Sequence, residues 1–147
     1  MDEIGLMGSL FLARRRCWSE RLRGFEITLP QLQLIRLARR RGAISPSAAA
    51  AELDCDRPTA SLIAQKCVRK GWLATRSSEL DRRSTRLELS GLGEELLDRI
   101  EKSRILSSAA LGDPLDVLDP AERALFDASL EKVEARAREL FGQVRTG

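Results

Sequence analysis

Two short stretches of this chain carry residues suited to grip a polyanion. Over Asp56–Lys70, helical spacing puts Ala60, Ile63, Ala64 and Cys67 on one side. It leaves Arg57, Thr59, Ser61, Leu62, Gln65, Lys66 and Arg69 on the other. Arg presents paired donors to a guanine edge, and Gln pairs with an adenine, so Arg57 and Gln65 are candidate base readers. Thr59 and Ser61 are short enough to let a helix lie close to the bases, and Lys66 completes the groove set. Leu62 interrupts this set and offers an apolar contact, for example to a thymine methyl. The second stretch is Asp81-Arg82-Arg83. An arginine on a turn tip suits a narrow minor groove, where the negative potential is deepest. Asp81 projects to the same side as Arg83 and can hold it in place. Exposed ion pairs stabilise by only about 0–1 kcal/mol, so this pairing reads as positional. Arg76, Arg82 and Arg86 are candidate phosphate contacts.

The elements that must position these residues follow from their flanks. Asp56 caps the helix that Gly71 stops. Before it, Ser45 caps a short helix with Pro46 at its first position, ending near Leu53; Ser45 and Ser47 are its phosphate donors. Asp54-Cys55 leaves room only for a tight turn, which is helix-turn-helix spacing. Residues 72–77 and 84–89 are strand candidates joined by a turn at Ser78–Arg83. Thr28-Leu29-Pro30-Gln31 is a capping box, with Ile27 and Leu32 placed as a hydrophobic staple, for a helix to about Arg41. Residues 4–25 read as a helix striped by Met7, Leu10, Phe11, Cys17, Trp18, Leu22 and Phe25, with Arg14 breaking the stripe. Ser90 caps a helix expected to run to about Ala110. Asp119-Pro120-Ala121-Glu122 caps the last one, striped by Phe126, Leu130, Val133, Ala137, Leu140 and Phe141. The fold class expected is mostly α with a small β-wing: a winged helix-turn-helix over 26–90, flanked by dimerisation helices at 1–25 and 91–147, in one compact domain.

Composition agrees. From Arg57 to Arg86 there are eight bases against two acids, whereas acids outnumber bases from Gly91 onward; net charge is +3. One basic region on an otherwise balanced chain points to a polyanion held on one face. No apolar run spans a bilayer, and Asp2, Glu3 and Arg14-Arg15-Arg16 break any secretory pattern, so the expected location is cytoplasmic with no membrane partner. There is no His, no paired carboxylate in an apolar setting and no glycine-rich phosphate loop, so neither enzyme activity nor a cofactor is expected. Cys17, Cys55 and Cys67 are scattered, which argues against disulfides and a metal site.

In order from Thr28 to Gly93, these residues resemble the MarR family of bacterial transcription regulators. The pieces are Leu29-Pro30-Gln31, Asp56-Arg57-Pro58-Thr59-Ala60-Ser61, Lys70-Gly71-Trp72-Leu73, Arg76, Asp81-Arg82-Arg83, and Leu87-Glu88-Leu89-Ser90 with Gly93. The resemblance implies an obligate homodimer on pseudo-palindromic double-stranded DNA, usually a repressor. It implies Arg83 in the minor groove, buttressed by Asp81. Leu62 departs from it, standing where such helices often carry Arg, and Pro58 removes one amide. The family often binds small aromatic acids between the dimer helices and the reading head; Arg15, Trp18 and Phe25 are the effector candidates, though core packing accounts for Trp18 and Phe25 equally well. Independently of the family, the terminal stripes need cover that a small core does not supply, which favours a C2 dimer. Two other readings stay open: a winged-helix protein–protein module, and a redox-sensing regulator. For the latter, Cys17 sits beside three arginines but suits a core position, and Cys55 is the most exposed thiol expected.

Overall fold

The computed structural model describes residues 2–77, 85–106 and 112–141. The chain divides into two compact units, Met1–Ser107 and Ser108–Gly147. In the first unit the elements are α1 (Glu3–Leu22), a 3-10 turn (Arg23–Phe25), α2 (Leu29–Arg41), α3 (Pro46–Leu53), α4 (Arg57–Arg69), β1 (Leu73–Ser77), β2 (Thr85–Leu89) and α5 (Gly91–Ser103).

The helix starts fall where a short polar side chain can take an orphan amide. Thr28 Oγ1 accepts from Gln31 N at 3.4 Å, and Gln31 Oε1 accepts from Thr28 N at 3.1 Å, closing the expected capping box. Ser45 Oγ accepts from Ala48 N at 3.1 Å, Asp56 Oδ1 from Thr59 N at 2.7 Å, and Ser90 Oγ from Gly93 N at 3.0 Å. The exit of α4 depends on Gly71, whose φ of 79° is a left-handed conformation that a Cβ disfavours. That turn lets Trp72 N donate back to Cys67 O at 3.0 Å before the chain enters β1.

The core gathers on α2, where Leu32, Leu34, Ile35, Leu37 and Ala38 are buried. Against them pack Leu22, Ile27, Ile44, Ala49, Ala64, Cys67, Trp72, Leu73, Leu87, Leu96, Leu97 and Ile100. Each fully buried Leu or Ile stabilises by about 1.5–3 kcal/mol, so one seam fixes the short helices α3 and α4 relative to the ribbon. β1 and β2 are antiparallel, with Leu73 opposite Leu89, Thr75 opposite Leu87 and Arg76 opposite Arg86.

Three expectations need correction, and one contact was not foreseen. Trp72 is part of the helix exit rather than a strand, because its amide is engaged by Cys67. Ile44 forms a third antiparallel position: Ile44 N donates to Leu87 O at 2.9 Å and Leu87 N to Ile44 O at 2.8 Å. That bridge docks the ribbon onto the α2–α3 connection, and a single residue leaves no period to read. The helix expected to reach Ala110 ends at Ser103, whose hydroxyl donates to Ile100 O at 2.6 Å, with Arg104 left-handed at φ 54°. α1 ends at Leu22 rather than near Phe25, and of its expected stripe only Leu22 is buried; Met7 and Phe11 are exposed. The turn carrying Asp81, Arg82 and Arg83 lies outside the described residues.

The second unit holds a 3-10 turn (Pro114–Val117) and α6 (Pro120–Phe141). Glu122 N donates to Asp119 Oδ1 at 2.9 Å and Asp119 N to Glu122 Oε2 at 3.0 Å, the second expected capping box. No residue of α6 is buried; Leu125, Leu130, Val133, Leu140 and Phe141 are all exposed.

Candidate nucleic-acid interface

α4 has one side anchored and one side free. Ala60, Ala64 and Cys67 are buried, so the rotation of the helix about its axis is fixed. That rotation leaves Arg57, Thr59, Leu62, Gln65, Lys66 and Arg69 exposed and Ser61 half-buried, which matches the division read from spacing. The cap at its start is electrostatic as well as geometric. The Thr59 amide, followed by the Thr59 hydroxyl, holds the Asp56 carboxyl below its usual range. The helix therefore starts on a firmly ionised cap with Arg57 as its first residue.

The helix before it meets the same surface at its own start. Ser45 spends its hydroxyl on the α3 cap and Ser47 is exposed. Ser61 and Gln65 also line a groove of about 450 Å3 that runs from Pro46 past α4 to Arg69, Thr75 and Leu87 of the ribbon. Gln65, a candidate base reader, and the short Ser61 thus sit on the ribbon side of α4, and Arg57 and Thr59 sit at its free start.

The ribbon presents cations on one face. Alternation puts Arg76, Arg86 and Glu88 opposite the face that carries Leu73, Leu87 and Leu89. Arg76 and Arg86 are direct cross-strand partners and both are exposed. Like charges directly opposite one another are destabilising. Arg76 Nη1 offsets part of this by pairing with Glu88 at 3.1 Å, and Arg86 Nη1 donates to Ala43 O at 3.4 Å. An opposed arginine pair with one carboxylate engaged by Arg76 retains capacity for anionic oxygens.

The effector candidates are spread along α1 and the 3-10 turn that follows it. Arg15 is exposed, Trp18 is half-buried with the Arg14 guanidinium 4.9 Å from its ring centre, and Phe25 has Arg99 at 5.4 Å. Phe25 lines a cavity of about 280 Å3 with Lys70, Trp72, Glu95 and Arg99, and neither Arg15 nor Trp18 lines it. A second cavity, of about 430 Å3, lies between α2, α3 and α5, lined by Gln33, Arg36, Arg39, Arg40, Glu52 and Glu101. Burial pulls the Arg36 guanidinium below its ordinary value, against the pull of Glu101. Arg39 pairs with Glu101 and approaches Glu94 at 3.7 Å and Asp98 at 3.9 Å, tying α2 to α5. These arginines escaped sequence reading, although their i, i+3, i+4 spacing was a visible signal.

Of the thiols, Cys67 is buried, and desolvation pushes it up to about 12. Cys17 and Cys55 are both half-buried, and neither is in a disulfide. Among the described residues no helix is long and apolar enough to cross a membrane, and no cluster of Cys, Asp and Glu has the makings of a metal site.

Residues 25–84 match the sequence profile of the MarR family. No curated protein matches the chain in sequence. Among solved structures, wild-type apo MarR of E. coli superposes with a TM-score of 0.79 at 20% identity, covering 90% of this chain and 97% of that one. A cysteine-to-serine variant of E. coli MarR in complex with operator DNA gives 0.72 at 21%, covering 87% and 90%. Bordetella bronchiseptica BpsR, whose DNA binding is regulated by 6-hydroxynicotinic acid, gives 0.72 at 20%, covering 90% and 99%. At these identities the likeness establishes the fold, which is the winged helix-turn-helix expected from sequence.

Proposed function

We propose, for a chain whose residues 25–84 carry the winged-helix reading head of the MarR family, that it is a homodimeric repressor of transcription. In this reading it binds a pseudo-palindromic duplex operator in the cytoplasm, and a small ligand releases it. One observation carries the proposal: α4 is locked by Ala60, Ala64 and Cys67 so that a polar, cationic face is turned outward beside a ribbon with two opposed arginines. Arg57, Thr59, Ser61, Gln65 and Lys66 enter the major groove, and Arg76, Arg82 and Arg86 contact phosphates together with Ser45 and Ser47. Arg83, held by Asp81, takes the minor groove. The work is binding, and no step of it needs a catalytic group.

The dimer follows from surfaces that no part of their own unit covers. Phe11 is 55% exposed and Leu12 equally so on α1, and Val133 is 61% exposed on α6. Isolated exposed apolar residues are ordinary, but two helices that each expose several call for a partner surface. A second copy supplies it and sets two reading heads about 34 Å apart, one turn of duplex. For the releasing ligand, the cavity between α2, α3 and α5 is better formed than a site at Arg15, Trp18 and Phe25. Arg36 and Arg40 line it, and an organic anion there compensates the cost of a half-buried guanidinium. A structural relative controlled by an aromatic acid supports that ligand class.

Selection of bound sequences from a random duplex pool tests the reading. The expected product is an inverted repeat, bound with an affinity that falls steeply as salt rises because phosphate contacts release counterions. Failure to enrich any duplex at low salt overturns it, and salt-insensitive capture of protein in its place favours a winged-helix protein-docking module.

A further inference from the structure

Leu62 is the exposed apolar residue of α4 to which the proposed function assigns no definite contact. It is 56% exposed, in a helix whose other exposed residues beyond Pro58 are polar or charged. Pro58, also exposed, lies four residues earlier and so on the same side of the helix, one turn away. Together they make a narrow apolar strip flanked by Arg57, Thr59, Gln65 and Lys66. The core does not use this strip, because Ala60, Ala64 and Cys67 already fill the buried side. A strip so placed meets whatever the cations around it meet. In the major groove of a duplex the base edges offer hydrogen-bond donors and acceptors almost everywhere. The exception is the C5-methyl group of thymine.

We infer that Leu62 reads a thymine methyl in each half-site, with Pro58 walling the same contact. This rests on the proposal that α4 enters the major groove, and it adds a base identity to it. A leucine cannot hydrogen-bond, so it penalises a base whose polar edge it covers: a guanine or adenine there loses water without gaining a partner. Thymine gives it the largest apolar surface, a methyl group where cytosine presents only a C5–H. Leu62 thus specifies both by attraction to the methyl group and by exclusion of the alternatives.

The test uses the operator recovered by selection and replaces each thymine in turn by deoxyuridine, which keeps every hydrogen-bonding group and removes only the methyl. The wild-type protein is expected to lose about fourfold in affinity at one thymine per half-site, the loss for one buried methyl group at about 0.8 kcal/mol. Substituting both half-sites compounds this to about fifteenfold. In Leu62→Ala the unmodified operator binds more weakly, and deoxyuridine at that position makes no further difference. Because Leu62 is outside the core, the variant keeps its fold, and the nucleotide arm needs no variant at all. Deoxyuridine without effect at every position overturns the inference, and so does a penalty that persists unchanged in Leu62→Ala. Either result leaves operator binding itself intact. Absence of binding to every duplex removes the major-groove premise instead, and the inference with it.

Discussion

At the scale of single residues, the side chains that hold the fold and those proposed to read DNA are separate sets, which makes their roles experimentally separable. Arg57 is exposed, begins a helix and has no place in the core, so its removal should touch binding and spare stability. Arg57→Ala is expected to cost about 1–3 kcal/mol of operator affinity and to flatten preference at one base pair, seen by repeating the selection with the variant. Arg83→Ala should weaken operator binding as sharply while shifting the melting temperature by less than a degree or two; a large melting shift would place Arg83 in the fold instead. The cysteines divide in the same way. Cys67, buried on the core side of α4, is raised by desolvation from 9.0 to about 12. It stays a neutral thiol at physiological pH, and any stability it lends is kept below about pH 9 and lost as pH rises toward 12. A redox role, where there is one, belongs to Cys17 or Cys55.

At the scale of elements, the local signals in the sequence located the reading head because each boundary is a chemical event. Thr28, Ser45, Asp56 and Ser90 were legible as caps, and each accepts the amide three residues on. Long-range events were not legible. The Ile44–Leu87 bridge depends on where the ribbon folds back, and the end of α5 at Ser103 has no proline or glycine to announce it. The arginines of the α2 cavity show the same limit: their spacing along α2 was visible, but the cavity exists only once α3 and α5 are in place. Gly93 shows how a resemblance in sequence acquires a physical cause. A Cβ built on it meets Trp72 O at 2.3 Å and Leu89 Cδ1 at 2.6 Å, with the backbone carbonyl unable to yield. The start of α5 is therefore pressed against the helix exit and the ribbon, and Ser90 bonds across the same seam to Gly71 O. Gly93→Ala is expected to destabilise by about 2–3 kcal/mol through overpacking, measured as a lower midpoint in urea with an unchanged slope. A loss under about 0.5 kcal/mol would mean that this seam is loose.

At the scale of the whole molecule, the sequence places its cations and its apolar excess in different regions, and the two have to cooperate for the proposed operator binding to be specific. One reading head contacts too few base pairs to select a site, whereas two joined by a twofold axis multiply their individual preferences. In the proposed dimer the joint falls to the uncovered apolar residues, because the exposed surface of residues 26–77 is cationic and repels its copy. Phe11 is the best single probe: it is large and exposed, and it shares one face of α1 with exposed Met7 and Ile4, four and seven residues earlier. Phe11→Asp puts a charge where a second copy is proposed to bury a ring, at a cost of several kcal/mol to association. Folding of the single chain should survive, since the core of the reading head does not include Phe11. The wild type is expected to sediment as a dimer, and the variant as a monomer at the same concentrations. Its operator affinity should fall toward that for a single half-site, a loss of at least a hundredfold, while its helical circular dichroism stays close to wild type. A Phe11→Asp protein that remains dimeric and binds the inverted repeat normally would move the interface off α1 and leave α6, with Leu130, Val133 and Phe141, to carry it alone.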